Sequence, residues 1–157
     1  MGAWDAGSFQ NDTALDWVGD LCEDGGLAMV RSALSRVNEL RQPPQPSVIE
    51  RRPGKHAHVR EPFLPAAAAV QALAAAEIVA FWLEHPTQKF PEKLADWAPR
   101  HASSFTPEFI TIARQAVIAI KTKSELKDLW EEGDGVVASK WHSAIADLEK
   151  RLQDQGT

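Results

Sequence analysis

Apolar positions recur along most of this chain at alternating steps of three and four, the spacing that gathers side chains on one face of a helix. The first such stretch covers about residues 12–22, where Ala14, Trp17, Val18 and Leu21 share one face and Asp12, Asp16, Asp20 and Glu23 the opposite one. Asn11 or Asp12 can accept hydrogen bonds from its first free amides, and Gly25-Gly26 ends it. A second stretch, about residues 27–40, repeats Leu27, Val30, Leu34 and Val37. The pattern then collapses into Gln42-Pro43-Pro44-Gln45-Pro46, because proline has no amide to donate and blocks the preceding turn.

The third predicted helix, about residues 65–84, abandons the alternation and is apolar nearly all round, with four consecutive alanines at 66–69. A helix with no polar face belongs at the centre of a bundle, and small side chains let its neighbours approach closely. A membrane span is the competing reading. From residue 63 to 83 only Gln71 and Glu77 are polar. The strongly apolar side chains there favour insertion by only about 2.4 to 4.8 kcal/mol, while one central acid costs about 2.5 kcal/mol or more. A buried helix is therefore expected. His85-Pro86 ends it, and a short helix at about residues 91–97 follows. Thr106 caps and Pro107 opens a helix to about residue 121, with Phe109, Ile112, Ala113, Ala116 and Ile120 inward. Ser124 caps a short helix over about residues 125–132, and a last helix runs over about residues 136–153 on Trp141, Ile145, Leu148 and Leu152.

These elements predict an all-α fold: a compact bundle of five to seven helices in one domain, residues 1–157, without the fixed-period repeat of a solenoid. Residues 42–62 are the one long irregular stretch and hold five of the ten prolines. Val48-Ile49 and Val59-Arg60 flank a Pro53-Gly54 turn signal, a pattern compatible with a small hairpin.

Composition narrows the class. A single cysteine cannot form an internal disulfide, which points to a reducing compartment and a cytoplasmic protein. The opening Met1-Gly2-Ala3-Trp4-Asp5 has no basic patch leading into an apolar run, so it does not read as a secretion signal. Seventeen basic against 22 acidic side chains leave a net charge of −5, the wrong sign for a dedicated nucleic-acid binder. The charge is uneven. Residues 1–50 carry three basic and eight acidic groups, residues 51–61 four basic and one acidic, and residues 62–157 ten basic and 13 acidic.

The run Gly2, Trp4, Gly7, Phe9, Asn11, Asp12, Ala14, Asp16 and Trp17 resembles the opening motif of a bacterial family catalogued as domain of unknown function 4259, Gly-x-Trp-Gly-x-Gly-x-Phe-x-Asn-Asp-x-Ala-x-Asp-Trp. Asp5 stands where that motif has its second glycine, and Gln10 where relatives are often acidic. The stretches at 74–79 and 124–131 are similar to the family as well, and the likeness fades in residues 42–62. The resemblance implies no reaction, cofactor or catalytic residue. Physically, Gly2 and Gly7 permit unusual backbone angles or close approach, so that Trp4 and Phe9 can fold back as a plug onto the first helix.

Candidate chemistry is sparse. Asp12, Asp16, Asp20 and Glu23 form an acidic face whose like charges four apart repel by a few tenths of a kcal/mol, suiting either a solvated surface or a dock for a basic protein. Glu77 is a lone acid in an apolar helix, expected either to pair with an arginine such as Arg114 or to act as a buried acid. Arg51, Arg52, Lys55, His56, His58 and Arg60 make a basic loop, and His56 and His58 alternate like ligands on a strand but lack a Cys or acidic companion at metal-site spacing. Cys22 reads as a small core residue. No phosphate loop, nucleophile elbow, zinc-protease helix or Cys-x-x-Cys is present, and no cofactor or metal is expected. The expected function is a non-catalytic cytoplasmic protein-binding domain, most concretely an immunity-type inhibitor that meets the basic site of a toxin with its acidic face. Neither nucleic acid nor membrane is an expected partner. The alternative is a small hydrolase or ligand-binding enzyme built around Glu77 and the 51–60 loop.

Overall fold

The computed structural model describes residues 7–9, 11–41, 64–87, 90–133 and 135–153. The hairpin expected near Pro53-Gly54 and the irregular stretch around it lie outside these residues. Among the described residues every regular element is helical: α1 (Asp12–Asp24), α2 (Leu27–Arg41), α3 (Ala66–Trp82), α4 (Glu92–His101), a 3-10 turn (Ala102–Ser104), α5 (Pro107–Thr122), α6 (Glu125–Glu131) and α7 (Gly135–Gln153).

α3 is the axle of the bundle. Thirteen of its 17 residues are buried, and it packs against every other α-helix. Its nine consecutive buried positions, from Ala72 to Ala80, include five alanines. Side chains this small bring neighbouring backbones close on all sides, which explains how one helix serves six partners. The remaining helices each contribute one stripe: Ala14, Trp17, Val18 and Leu21 from α1, Val30, Leu34 and Val37 from α2, Trp141, Ile145, Leu148 and Leu152 from α7. On α5 the inward side is Phe109, Ala113, Ala116 and Ile120 as the spacing predicts, with Ile112 only half-buried. No described helix is long and apolar enough to cross a membrane.

Local chemistry sets the helix ends. Asn11 Oδ1 accepts from the amide of Ala14 at 2.8 Å, and Ser124 Oγ from that of Lys127 at 3.0 Å, both as N-caps. Thr106 occupies the cap position of α5 with extended backbone but makes no side-chain cap hydrogen bond, so Pro107 alone starts that helix. α1 and α2 meet at Gly25, where space decides the residue. A Cβ there would lie 2.7 Å from Leu21 Cα and from Met29 Sδ. α4 runs on past the expected end at Trp97 to His101 and takes Pro99 inside it. Proline there costs the backbone bond that would reach the Ala95 carbonyl one turn earlier.

The N-terminus of α3 is capped from a distance. Pro65 offers no side-chain bond, and the free amide of Ala66 donates instead to Glu125 Oε1 at 2.8 Å while the amide of Glu125 donates to the Leu64 carbonyl at 3.0 Å. The C-terminus of α3 closes in a Schellman turn, with His85 N donating to Ala80 O at 2.9 Å and Glu84 N to Phe81 O at 3.0 Å. That turn needs a left-handed residue, and Glu84 supplies it at φ 68°. A non-glycine residue held there costs about 1 kcal/mol. Glu84→Gly is therefore expected to raise the melting temperature by about 2–4 °C. A fall would mean that the Glu84 side chain holds the turn by contacts that outweigh its strain.

Candidate functional site

The acidic residues of α1 are placed by the core on its opposite side. Burial of Ala14, Trp17, Val18 and Leu21 fixes the roll of the helix, and Asp12, Asp16, Asp20 and Glu23 consequently all face solvent. None of the four has an ion-pair partner among the described residues. The helix also lacks a basic residue in its last turn, so Asp20 and Glu23 sit where the helix dipole is negative. The face is not a simple convex surface. Asp20 and Glu23 form the rim of an open groove of about 440 Å³ whose other walls are Gly25, Gly26, Ala28 and Met29. The two glycines that end α1 thus also lower the floor between α1 and α2. Sequence reading missed this groove, although a glycine pair directly after an acidic last turn was its signal.

Such a groove suits a basic side chain. The aliphatic stem of a lysine or arginine can lie on Met29 and Ala28 while its head reaches the two carboxylates, the amphipathic fit that long cationic side chains favour.

Glu77 tells a different story. Its side chain is 4% exposed and both oxygens are engaged. Arg151 of α7 donates from Nη1 to Oε2 at 2.7 Å and from Nη2 to Oε1 at 3.0 Å, a forked pair, and Ser8 Oγ donates to Oε1 at 2.9 Å. The partner is Arg151, not Arg114, and it comes from 74 positions along the chain. Arg151 is held further by Asp147, from Nε to Oδ2 at 2.8 Å, and by the His85 carbonyl at 3.2 Å. Burial alone would lower the guanidinium pKa. The hydrogen bond and charge of Glu77, then those of Asp147, outweigh it and hold Arg151 above the ordinary arginine value. This cluster ties the N-terminal segment, α3, the turn after α3 and α7 together. Its geometry is that of a structural staple, with both carboxylate oxygens of Glu77 engaged.

Ser8 reaches Glu77 because its neighbour Phe9 is anchored. Phe9 is buried and meets Phe90 edge-on at 5.6 Å, and Phe90 stacks on Phe81 of α3 at 4.7 Å. The described part of the N-terminal motif therefore plugs onto α3 and the segment before α4, beyond the first helix to which the sequence assigned it.

Cys22 is half-buried against the core. Burial pushes its thiol pKa up, partly offset by the positive charges of Lys93 and Arg100 on α4, so it stays protonated and unreactive at neutral pH. The loop candidates Arg51, Arg52, Lys55, His56, His58 and Arg60 lie outside the described residues. Among the described residues no cluster of three or more His, Cys, Asp or Glu could hold a metal ion.

A family model described as a domain of unknown function, DUF4259, matches residues 2–51 and 55–144 of the chain. No curated protein and no solved structure matches it.

Proposed function

We propose a binding role without catalysis for this chain, which belongs to the domain of unknown function 4259 family. Its most concrete form is a cytoplasmic immunity-type inhibitor that neutralises a bacterial toxin by covering a basic active site with the acidic face of α1. The observation that carries this reading is the groove at the end of α1, where Asp20 and Glu23 stand over Met29 with no countercharge among the described residues. Carboxylates on a rigid helix are already arranged before a partner arrives, and a one-signed face accelerates encounter with a basic surface in a salt-dependent way.

The test is Asp20→Lys combined with Glu23→Lys. Both changes place cations in a last turn that has none, each contributing about 0.3–1 kcal/mol of helix stability. The double variant is thus expected to melt no lower than the wild type, which separates binding from folding. Co-expressed with the product of a toxin-like reading frame beside its gene, the wild type is expected to restore growth and the variant to fail. The purified pair should show an association rate reduced about tenfold at low salt, with the difference shrinking as salt rises. Equal protection by both proteins removes the acidic face from the mechanism.

A further inference from the structure

Gly19 stands in the middle of α1, and nothing among the described residues explains it. Glycine is among the poorest residues for a helix interior, because it gives up the most backbone freedom on folding. An unusual backbone angle or a lack of room justifies it elsewhere, and neither operates at this position. Its backbone is helical, and a Cβ built on it would meet no heavy atom of the described residues within 4 Å. Gly25, by comparison, is dictated by space. At position 19 the missing side chain instead leaves a notch in the outer face of the helix.

The notch is shared by two holes of the shape that receives another helix. A side chain of one helix seats in the diamond that four residues of its neighbour make at i, i+3, i+4 and i+7. Asp12, Leu15, Asp16 and Gly19 make one such diamond, and Asp16, Gly19, Asp20 and Glu23 make the next. Gly19 is partly exposed and the other five residues are exposed. The first diamond contains Leu15, the exposed large apolar side chain of α1. The second contains three carboxylates, none with an ion-pair partner among the described residues. It adjoins the groove over Met29, whose rim is the same Asp20 and Glu23.

We propose that α1 receives a basic amphipathic helix of a partner protein, crossing in close contact at Gly19. This rests on the acidic-face reading above and adds the shape of the occupant to its charge. One apolar side chain of the partner helix seats beside Leu15 in the first diamond. A lysine or arginine one turn along seats in the second, its stem over Gly19 and its head among Asp16, Asp20 and Glu23. Packed helices lie about 8–10 Å apart according to the side chains at the contact, and glycine allows the near end of that range. At that distance the aliphatic stem of the cation is covered while its charge reaches the carboxylates. The four unpaired carboxylates select a basic helix and repel a second copy of this acidic face.

The probe is a capped synthetic peptide of about 20 residues, above the length at which isolated helices hold in water. It carries a leucine and alanine stripe flanked by lysines, and its control has glutamates in their place. Fluorescence anisotropy is expected to show binding of the lysine peptide alone to the wild type. Gly19→Leu fills both diamonds and should cut affinity about tenfold or more. Its melting temperature should be no lower than that of the wild type, because leucine is the better helix former and the site has room. Gly19→Ala should raise the melting temperature by about 2–4 °C and weaken binding by less than Gly19→Leu does. Unchanged binding by Gly19→Leu, with binding lost in Asp20→Lys plus Glu23→Lys, overturns the close crossing and leaves the acidic-face reading standing. Unchanged binding in both variants overturns both. No binding by the wild type overturns the helix as occupant and leaves the growth test above to judge the acidic face. Binding that emerges only after Arg51, Arg52, Lys55 and Arg60 are changed to glutamine assigns the face to the chain's own basic segment. A wild-type dimer that Gly19→Leu dissociates assigns it to a second copy, and either result overturns the proposal.

Discussion

Arg151→Ala is expected to cost about 3–5 kcal/mol, because it strands the Glu77 carboxylate in the interior. The Glu77 side chain is 4% exposed. Without the guanidinium it keeps, among the described residues, only the Ser8 hydroxyl, one neutral donor for a full negative charge. For a protein of this size the loss corresponds to about 6–20 °C in melting temperature. Arg151→Lys should fall between, since an ammonium cannot reproduce the forked bonds to both oxygens. The informative comparison is the double variant Glu77→Leu with Arg151→Met. Removing both charges together is expected to recover most of the loss, as apolar replacements of buried ion pairs often do. A single-variant loss below about 1 kcal/mol, with no recovery in the double, would show that water reaches Glu77 and that the staple is weak. The pH profile follows from the direction of the Arg151 shift. A group whose folded pKa is raised contributes stability that is fully present below its ordinary value and is lost only as pH rises past the folded one. The pair should therefore add no slope to stability on the alkaline side through pH ~10.

Trp141→Ala is expected to cost a similar amount, about 3–5 kcal/mol, by a different route. Trp141 is 1% exposed and is the largest of the fully buried side chains. Its removal opens a cavity where α7 packs on α5, α6 and α3, and close-packed helices relax only partly into such a space. Trp141→Phe should cost distinctly less. Chemical denaturation followed by far-ultraviolet circular dichroism measures this better than fluorescence, because six tryptophans blur the site-specific signal. Trp141 and Arg151 are ten residues apart on one helix, about 15 Å, so their losses should add within about 0.5 kcal/mol. Clear non-additivity would mean that α7 detaches as a unit once either anchor is gone.

What could be read from the sequence was whatever depends on near neighbours in the chain. The stripe Trp141, Ile145, Leu148 and Leu152 is buried as spaced, and Asn11 and Ser124 cap as their chemistry suggests. α3 was legible as central because a helix with no polar face has nowhere else to go. The errors share a cause. The fourth helix was expected to end at Trp97, but the buried Leu94, Trp97 and Ala98 carry α4 on through Pro99 to His101. Glu84 gives no turn signal because the residue that usually marks a left-handed cap is glycine. Glu77 stood out as a lone acid, while its partner did not. Arg151 sits one turn after Asp147 at the border of the α7 stripe, where its sequence neighbours explain it as a surface ion pair. Only tertiary packing turns it inward. The acidic face was visible from spacing, but its groove was not, since it depends on how closely α2 follows α1 at Gly25.

The exchange of bonds between the start of α3 and the start of α6 has a consequence for how the gene can change. Glu125 holds Leu64 and Ala66 from across the bundle, so one residue serves the start of two helices at once. A substitution at Glu125 strips α3 of the acceptor for its first amide, while α6 keeps the Ser124 hydroxyl at its own start. The damage then appears 59 positions before the change that caused it.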